Sequence, residues 1–372
     1  MDRPPILATA GPVSTTQRTR LAMLRDWEPS QSAFRELAAT VQTQLLAIAR
    51  AEESHTAVLV PGGGRVAADA ALATTVPPDG HLLVLENGPD ARRLGRQAAA
   101  LGRRTTLASA PEDTPLDVAE IDALLGADAS ITHLAVAHSE SATGIYNFLP
   151  PLAEVCARRS RGLIVDASCT LGVIEIDARA LRFEALIGTS DQGLEGVPGL
   201  GIVLLRKTLL RPAATPRPMS LDLHHLHAQA TSTGPGHHGP PAQVLAALAE
   251  ALRQFEEEGG QPARLLRYRE NGATLIGGMQ SLGVRPFLKP QFQAPGMMAF
   301  LAPGHPRYNF AAFREAMEKR GFVILPGALA HAETFRVGCI GAIDRHDVRH
   351  LVHVVGESLQ ELGVTSGASA RG

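Results

Sequence analysis

The chain has 372 residues, enough to bury a sizeable core, and the natural expectation is one large domain with a smaller one. Hydrophobic residues make up 45% and charged residues 19%, and the formal net charge is −2, which excludes nucleic-acid binding driven by bulk electrostatics. The three cysteines, Cys156, Cys169 and Cys339, form no CxxC pair, which argues against a disulfide scaffold or a structural zinc site and fits a cytoplasmic protein; no run approaches membrane-spanning length.

Residues 1–30 read as an extended arm. From Ser32 to Arg50, Phe34, Leu37, Val41, Leu45 and Ile48 recur at helical spacing and predict a helix facing the core or a dimer partner. Ala57–Val60 is a short buried strand. It runs into Pro61-Gly62-Gly63-Gly64-Arg65 and a helical pattern from Val66. A glycine turn feeding a helix N-terminus presents free N–H groups to an anion, but many strand–helix turns are glycine-rich, so the signal is weak alone. Arg65 either adds a charged donor there or faces solvent.

Leu82–Leu85 is the next strand, followed by Glu86-Asn87-Gly88-Pro89-Asp90, with Asp90 read as the cap of a helix from Ala91 to Leu101. Leu134–His138 leads into Ser139-Glu140-Ser141-Ala142-Thr143-Gly144, and a helix over Pro151–Arg159 leads to the strand that ends in Asp166. Ala185–Ile187 precedes Gly188-Thr189-Ser190-Asp191-Gln192. Gly196-Val197-Pro198-Gly199-Leu200-Gly201 and the apolar run Ile202–Leu205 follow. Strands alternating with helices over 57–205 predict βαβ units, a mostly parallel sheet, and a ligand edge that gathers Asp166, Thr143 and the turn at 62–64.

Past Arg206 the chain is proline-rich and then carries five histidines, His224, His225, His227, His237 and His238. No carboxylate or cysteine spacing accompanies them, so no metal site is expected. A helix over Gln243–Glu258 stops at Gly259-Gly260 and is expected to join the domains. Strands at Met297–Leu301, Phe322–Leu325 and Thr334–Val337 and a helix over 344–362, capped by Asp344, predict a small α+β unit. The division reads as an arm at 1–30, a large domain at 31–255, a small domain at 256–363 and a disordered tail at 364–372.

The stretches HSESATG (138–144), LIVD (163–166), GVPGLG (196–201), SLDL (220–223) and ETFRVG (333–338) occur in one order. Together they resemble the class V branch of the fold-type I aminotransferases that use pyridoxal phosphate (PLP), and within it the 2-aminoethylphosphonate–pyruvate aminotransferase family. The resemblance implies an α/β fold of the aspartate aminotransferase-like, PLP-dependent transferase type. It implies that Asp166 pairs with the pyridine nitrogen and that Thr143 lies beside the ring. Gly62, Gly63, Gly64 and Arg65 would form the phosphate cup, and Arg336 would hold a substrate carboxylate. Without the flanking match, Arg336 would read as a strand arginine on a solvated face.

The departures from the family pattern cluster on the cofactor side. Gly63 and Arg65 stand for hydroxyl residues, Asp90 for a stacking aromatic ring, and Gly239-Pro240-Pro241-Ala242 for a T-P-P-T turn. Gln192 stands where the Schiff-base lysine follows a Ser-Ala-Asn-type triplet. The only lysines are Lys207, Lys289 and Lys319, none at that position. The expectation is therefore a homologue of 2-aminoethylphosphonate–pyruvate aminotransferase whose amino transfer to pyruvate is impaired or lost. PLP is its cofactor by resemblance only, not covalently bound or not bound at all. The ligand is expected to be small: an amino acid, keto acid or phosphonate. The assembly is expected to be a homodimer or a heterodimer with an active paralogue, without nucleic acid or membrane. The alternatives are a non-catalytic partner subunit, or a lysine-independent pyridoxamine phosphate enzyme in which His138 or another base moves the proton.

Overall fold

A computed structural model describes residues 4–212, 217–231, 239–329 and 331–364. The chain opens with β1 (Ile6–Leu7), α1 (Gln17–Leu21) and α2 (Ser32–Ile48). It then alternates β2 (His55–Pro61), α3 (Gly64–Thr75), β3 (His81–Glu86), α4 (Pro89–Ala100), β4 (Arg104–Ser109), α5 (Val118–Ala127), β5 (Ile131–Ala137), α6 (Leu149–Arg158), β6 (Gly162–Asp166), β7 (Ala185–Thr189) and β8 (Leu200–Arg206). The remainder is α7 (Leu223–Thr231), α8 (Ala242–Glu258), α9 (Gly260–Ser281), β9 (Met297–Leu301), α10 (Phe310–Lys319), β10 (Phe322–Val323), β11 (Leu325–Pro326), β12 (Thr334–Gly338) and α11 (Arg345–Glu361).

Seven strands form one sheet in the order β2-β8-β7-β6-β5-β3-β4. The pairs within β7-β6-β5-β3-β4 are parallel, and β8 runs antiparallel to both of its neighbours. The central strands are apolar along their whole length because helices cover both faces. Alternate side chains go to opposite faces. Leu83, Leu85, Val136 and Val165 join Val41 and Leu45 of α2 and Leu248 of α8 on one side. Val84, Ala135, Ile164 and Val203 join Ala67, Ala71 and Leu72 of α3 and Leu94 of α4 on the other. This is a three-layer α/β/α unit with a mostly parallel sheet, as the strand–helix alternation predicts.

A second core lies under a three-stranded antiparallel sheet in the order β11-β12-β9. Phe300 and Phe335 stack with ring centroids 5.8 Å apart, and Phe313 of α10 meets Phe335 edge-on at 5.4 Å. Leu275 and Met279 of α9 and Leu351 and Val355 of α11 close this core. Asp344 caps α11 with a reciprocal capping box through Asp347.

The structure corrects four expectations. The segment expected as an extended arm over 1–30 is not extended throughout, since it holds α1, and its start is tied down: β1 pairs in parallel with β10, Ile6 opposite Phe322, and Ile6 and Ala8 enter the second core. The expected strand Phe322–Leu325 is two short strands, β10 and β11, in different sheets. The helix at 242–258 does not join the two cores; it packs in the large-sheet core, stops at Gly259 (φ 109°), and α9 carries the chain across. The sequence hides α9 because its buried face includes Arg264 and Asn271 as well as Leu275 and Met279. Asp90 is not a helix cap: α4 begins at Pro89, and Asp90 sits in its first turn. The edge strand β4 escaped notice because its residues are mostly exposed and polar, with no alternating apolar face. The expected tail beyond Val364, together with His237 and His238, lies outside the described residues.

His55 opens β2 fully buried, with Nε2 3.1 Å from the Phe183 carbonyl and Nδ1 2.7 Å from the Ser54 hydroxyl. Burial pushes its pKa down to about 4. The unfolded chain takes up this proton near pH 6.5. The His55 contribution to stability is therefore complete above pH 6.5 and is lost as pH falls from there toward 4, at about 1.4 kcal/mol per pH unit. Denaturant titrations of His55→Gln between pH 6 and pH 4.5 should show a stability slope shallower by roughly 1 kcal/mol per pH unit. An unchanged slope would mean that the folded protein already carries that proton.

Candidate active site

Parallel strands that end on one edge bring their last residues and the following turns together. Asp166 ends β6 and is nearly buried. Its Oδ1 accepts the Ser168 backbone N–H at 3.0 Å and the Ser168 hydroxyl at 2.6 Å. Its Oδ2 accepts Nη2 of Arg93 at 3.0 Å. Arg93 rises from α4 one turn after Asp90 and reaches Asp90 Oδ1 at 3.4 Å as well. The other oxygen of Asp90 accepts the Ser141 N–H at 2.7 Å. One guanidinium thus lies between two carboxylates at the sheet edge.

The turn after β5 supplies the opposite wall. Glu140, fully buried, accepts the backbone N–H groups of Asp90 at 2.7 Å and Ala91 at 2.8 Å, and so caps α4 from outside that helix. Burial pushes the Glu140 carboxyl up to about 8, helped by the charge of Asp90 and opposed by those two N–H groups. Thr143 is fully buried and its hydroxyl accepts the Ile145 N–H at 3.1 Å. His138 lies deeper: Nδ1 is 2.8 Å from the Thr170 hydroxyl, and the ring meets Tyr146 at 5.2 Å. Burial pushes His138 down to about 3, so it is a weak base.

The turn between β2 and α3 has Gly62 at φ 113° and Gly63 at φ 81°, a left-handed path that side chains rarely adopt. It leaves α3 without a side-chain N-cap. Gly64 packs over Ser168, so this turn and Asp166 share one edge. Arg65 is exposed and makes no side-chain hydrogen bond among the described residues, which favours the solvent-facing reading.

Gln192 follows β7 at φ 57°. Its Oε1 is buried with no donor. Beside it, Asp191 is buried and its Oδ1 accepts the Thr189 hydroxyl at 2.7 Å; burial raises the Asp191 carboxyl. The three lysines are elsewhere: Lys207 donates to the Glu52 carbonyl at 2.8 Å, Lys319 pairs with Glu315 at 2.8 Å, and Lys289 is exposed.

Arg336 on β12 spans both units. Its Nε donates to the Pro326 carbonyl at 2.8 Å and Nη1 to the Ser141 carbonyl at 3.0 Å. A second joint runs through α9. Glu195 Oε1 accepts Nη2 of Arg267 at 2.6 Å and the Tyr268 hydroxyl, and Arg264 Nη1 donates to the Gly193 carbonyl at 2.7 Å. Both arginines pair with Glu258 at 2.7 Å. Burial works against ionisation of Glu258, yet the Arg267 hydrogen bond and the two guanidinium charges hold its pKa below the usual range. Arg267 Nη1 continues to the Gly341 carbonyl at 2.8 Å, beyond the end of β12.

Asp90, Asp166, Arg93 and Arg336 are thus linked by direct or single-residue contacts, and Gln192 and the glycine turn lie along the same edge. Sequence reasoning missed Arg93, Ser168 and Glu195. The signal for Arg93 was its spacing of three residues from Asp90 on one helix face. Of the histidine segment, His224, His225 and His227 lie on α7, and the described residues contain no cluster able to hold a metal.

Comparison with known proteins decides the family. The sequence profile described as "Aminotransferase class-V" matches residues 25–319. The chain belongs to the class V aminotransferases. It is 46% identical over 371 residues to the 2-aminoethylphosphonate–pyruvate transaminase 2 of Polaromonas sp., covering 100% of both chains. It is 46% identical over 364 residues to the 2-aminoethylphosphonate–pyruvate transaminase of Pseudomonas aeruginosa, covering 98% of each. In fold it is similar to the ureidoglycine–glyoxylate aminotransferase of Bacillus subtilis, with a TM-score of 0.90 at 21% identity over 98% of this chain and 95% of the other. It is also similar to the pyridoxamine–pyruvate aminotransferase of Mesorhizobium loti, with a TM-score of 0.88 at 20% identity over 99% and 96%. These matches bear out the family and the fold that the sequence motifs imply. No helix among the described residues is long and apolar enough to cross a membrane.

Glu195→Ala would leave Glu258 as the one carboxylate facing both Arg264, 1% exposed, and Arg267, and would remove the acceptor of the buried Tyr268 hydroxyl. Leaving buried donors unsatisfied costs about 1–3 kcal/mol. Guanidinium chloride unfolding of this variant should show a loss of that order. A loss below ~1 kcal/mol, the surface-pair range, would mean that the joint is solvated.

Proposed function

We propose that this chain is a homologue of 2-aminoethylphosphonate–pyruvate transaminase that does not carry out lysine-dependent amino transfer and binds a small amino acid, keto acid or phosphonate without a covalent link. The observation that carries this reading is the amide of Gln192 in the place the family motif gives to lysine, with all three lysines engaged or exposed elsewhere. The residues present do not fit a covalently held PLP. Position 192 has no amine, position 63 no hydroxyl, Arg65 is turned to solvent, and Asp90 stands for a ring while bonded to the Ser141 N–H. Asp166 is occupied by Arg93 and Ser168 rather than left as a bare carboxylate.

A pyridoxamine phosphate enzyme without a lysine would need another base. His138 is a poor one, because burial holds it near 3 and its Nδ1 faces Thr170. We read the assembly as a homodimer through the large-sheet unit, with residues 31–255 and 256–363 as the two domains and a cytoplasmic setting.

Two measurements test this. Borohydride reduction of the purified protein followed by intact mass should show no added pyridoxyl group; a lysine-linked adduct would sink the reading. Restoring the lysine with Gln192→Lys should not restore a good transaminase, because the ring at 90 and the hydroxyls at 63, 65 and 242 stay missing. Hydrogen bonds to a charged group are worth about 1.5–3 kcal/mol each. Losing two or three of them holds PLP affinity down by orders of magnitude, at about tenfold per 1.4 kcal/mol. Turnover of 2-aminoethylphosphonate with pyruvate should therefore remain small, and a rate near that of an ordinary transaminase would overturn the reading.

A further inference from the structure

The N-terminal end of α3 faces the candidate active site, where Gly64 packs over Ser168. Its C-terminal end lies beside His133, near the start of β5, at the opposite end of the strands. Twelve helical residues put the two ends about 17 Å apart, at 1.5 Å per residue. A cavity of about 460 Å³ opens at the C-terminal end. Pro77 and Pro78 after α3 and Leu209 after β8 form part of its wall. Arg103, Arg211 and Arg217 line it too, and no acidic residue does.

Two of these arginines are held by the backbone. Arg103 donates Nε to the Val76 carbonyl at 2.9 Å and Nη1 to the Leu101 carbonyl at 3.0 Å. Arg217 donates Nη1 to the Ala73 carbonyl at 2.8 Å. The last carbonyls of a helix lack intrahelical donors, and guanidinium groups suit them. Helix capping explains those bonds but leaves Nη2 of each arginine without an acceptor among the described residues. Asp222 lies 3.7 Å from Arg217 Nε, too far for a hydrogen bond, and its Oδ1 accepts the first N–H groups of α7. Arg211 is exposed, and its side chain has no partner among the described residues. His133 is turned to its own partners, with Nδ1 2.7 Å from the Thr132 hydroxyl and Nε2 3.0 Å from Glu184.

The guanidinium charges are not cancelled. Burial, and then the charge of Arg217, push the Arg103 guanidinium below its usual pKa, and no carboxylate offsets them. Arg103 stays protonated all the same, because a guanidinium does not deprotonate in a protein. Like charges gathered at a partly closed cavity favour an anion between them. A carboxylate offers two oxygens in a plane, whereas a phosphoryl group offers three and carries nearly two charges. Arginines from three separate segments match the phosphoryl group. Pro77, Pro78 and Leu209 make the rest of the wall apolar, which suits an organic group on the fourth oxygen.

We propose that Arg103, Arg211 and Arg217 bind a small phosphate monoester in the cavity at the C-terminal end of α3. This site is separate from the sheet edge of Asp166 and does not depend on the residue at position 192. The ester is held intact, and no bond forms or breaks.

Calorimetry on the full-length protein tests it, with phenyl phosphate and inorganic phosphate as probes. Phenyl phosphate should saturate with a Kd below about 1 mM. Inorganic phosphate, which leaves the apolar wall uncovered, should bind about threefold more weakly or less. Arg217→Gln should weaken phenyl phosphate about tenfold, the worth of one hydrogen bond to a charged group. Arg211→Gln should weaken it about threefold, as befits an exposed guanidinium. The Arg211 side chain holds nothing in the fold, so this variant decides if Arg217→Gln does not fold. Arg65→Gln removes the same charge at the other end of α3 and should leave the Kd within about twofold. No saturation up to about 10 mM, or equal affinity for the two probes, overturns the site. So does an unchanged Kd in Arg211→Gln, or an equal loss in Arg65→Gln, which would mean that bulk charge alone attracts the anion. A pyridoxyl adduct on a lysine would overturn the function proposed above and leave this site standing.

Discussion

Two hydrophobic cores share one chain here, and the constraint that relates them is a buried charge network. Glu195 leaves the loop of Gln192 and meets Arg267 and Tyr268 of α9, and Arg264 closes on the Gly193 carbonyl. Glu258 supplies the second carboxylate, so two guanidinium groups face two carboxylates. Arg267 then reaches Gly341, just past the strand of Arg336. Apolar contacts alone tolerate sliding, because they are non-directional. A network of directed hydrogen bonds between buried charges has one satisfied geometry, and every departure leaves a charge unpaired. The position of Gln192 and the position of Arg336 are therefore set by the same few bonds.

Within the cleft the pattern repeats on a smaller scale. Arg93 lies between Asp90 and Asp166, and Glu140 holds the first turn of α4 through two backbone N–H groups. Asp166 is thereby paired with a guanidinium at the sheet edge, whereas the buried Gln192 Oε1 has no donor among the described residues.

Much of this was legible in the sequence, because it depends on local rules. Buried strands such as Leu82–Leu85 and Leu163–Val165 announce themselves as apolar runs, and Asp344 announces its helix. The motifs that single out Asp166, Gln192 and Arg336 as candidates are short and local, and the structure places Asp166 and Gln192 at the ends of neighbouring strands. What was not legible depends on pairing across distance. The polar strand β4 exists only because β3 offers it an edge, and α9 buries arginines that sequence patterning assigns to solvent. The role of Asp90 was misjudged for the same reason. Its partners are Arg93 and the Ser141 N–H, and the latter is 51 residues away.

The pairing of β1 with β10 has a consequence for synthesis of the chain. Ile6 leaves the ribosome early, but its partner is Phe322. At bacterial and eukaryotic elongation rates of about 5–20 residues per second, the first strand waits roughly 15–60 s for the strand that covers it. In the later part of that interval, once β8 has been made, Ile6, Leu7 and Ala8 are an unpaired apolar segment beside a large sheet whose strands are all synthesised. The second core cannot close from C-terminal residues alone, since Ile6 and Ala8 are part of it. Closure of the second core therefore waits for β10, and the contact of Gly11 with Gln192 is fixed only once Ile6 has met Phe322.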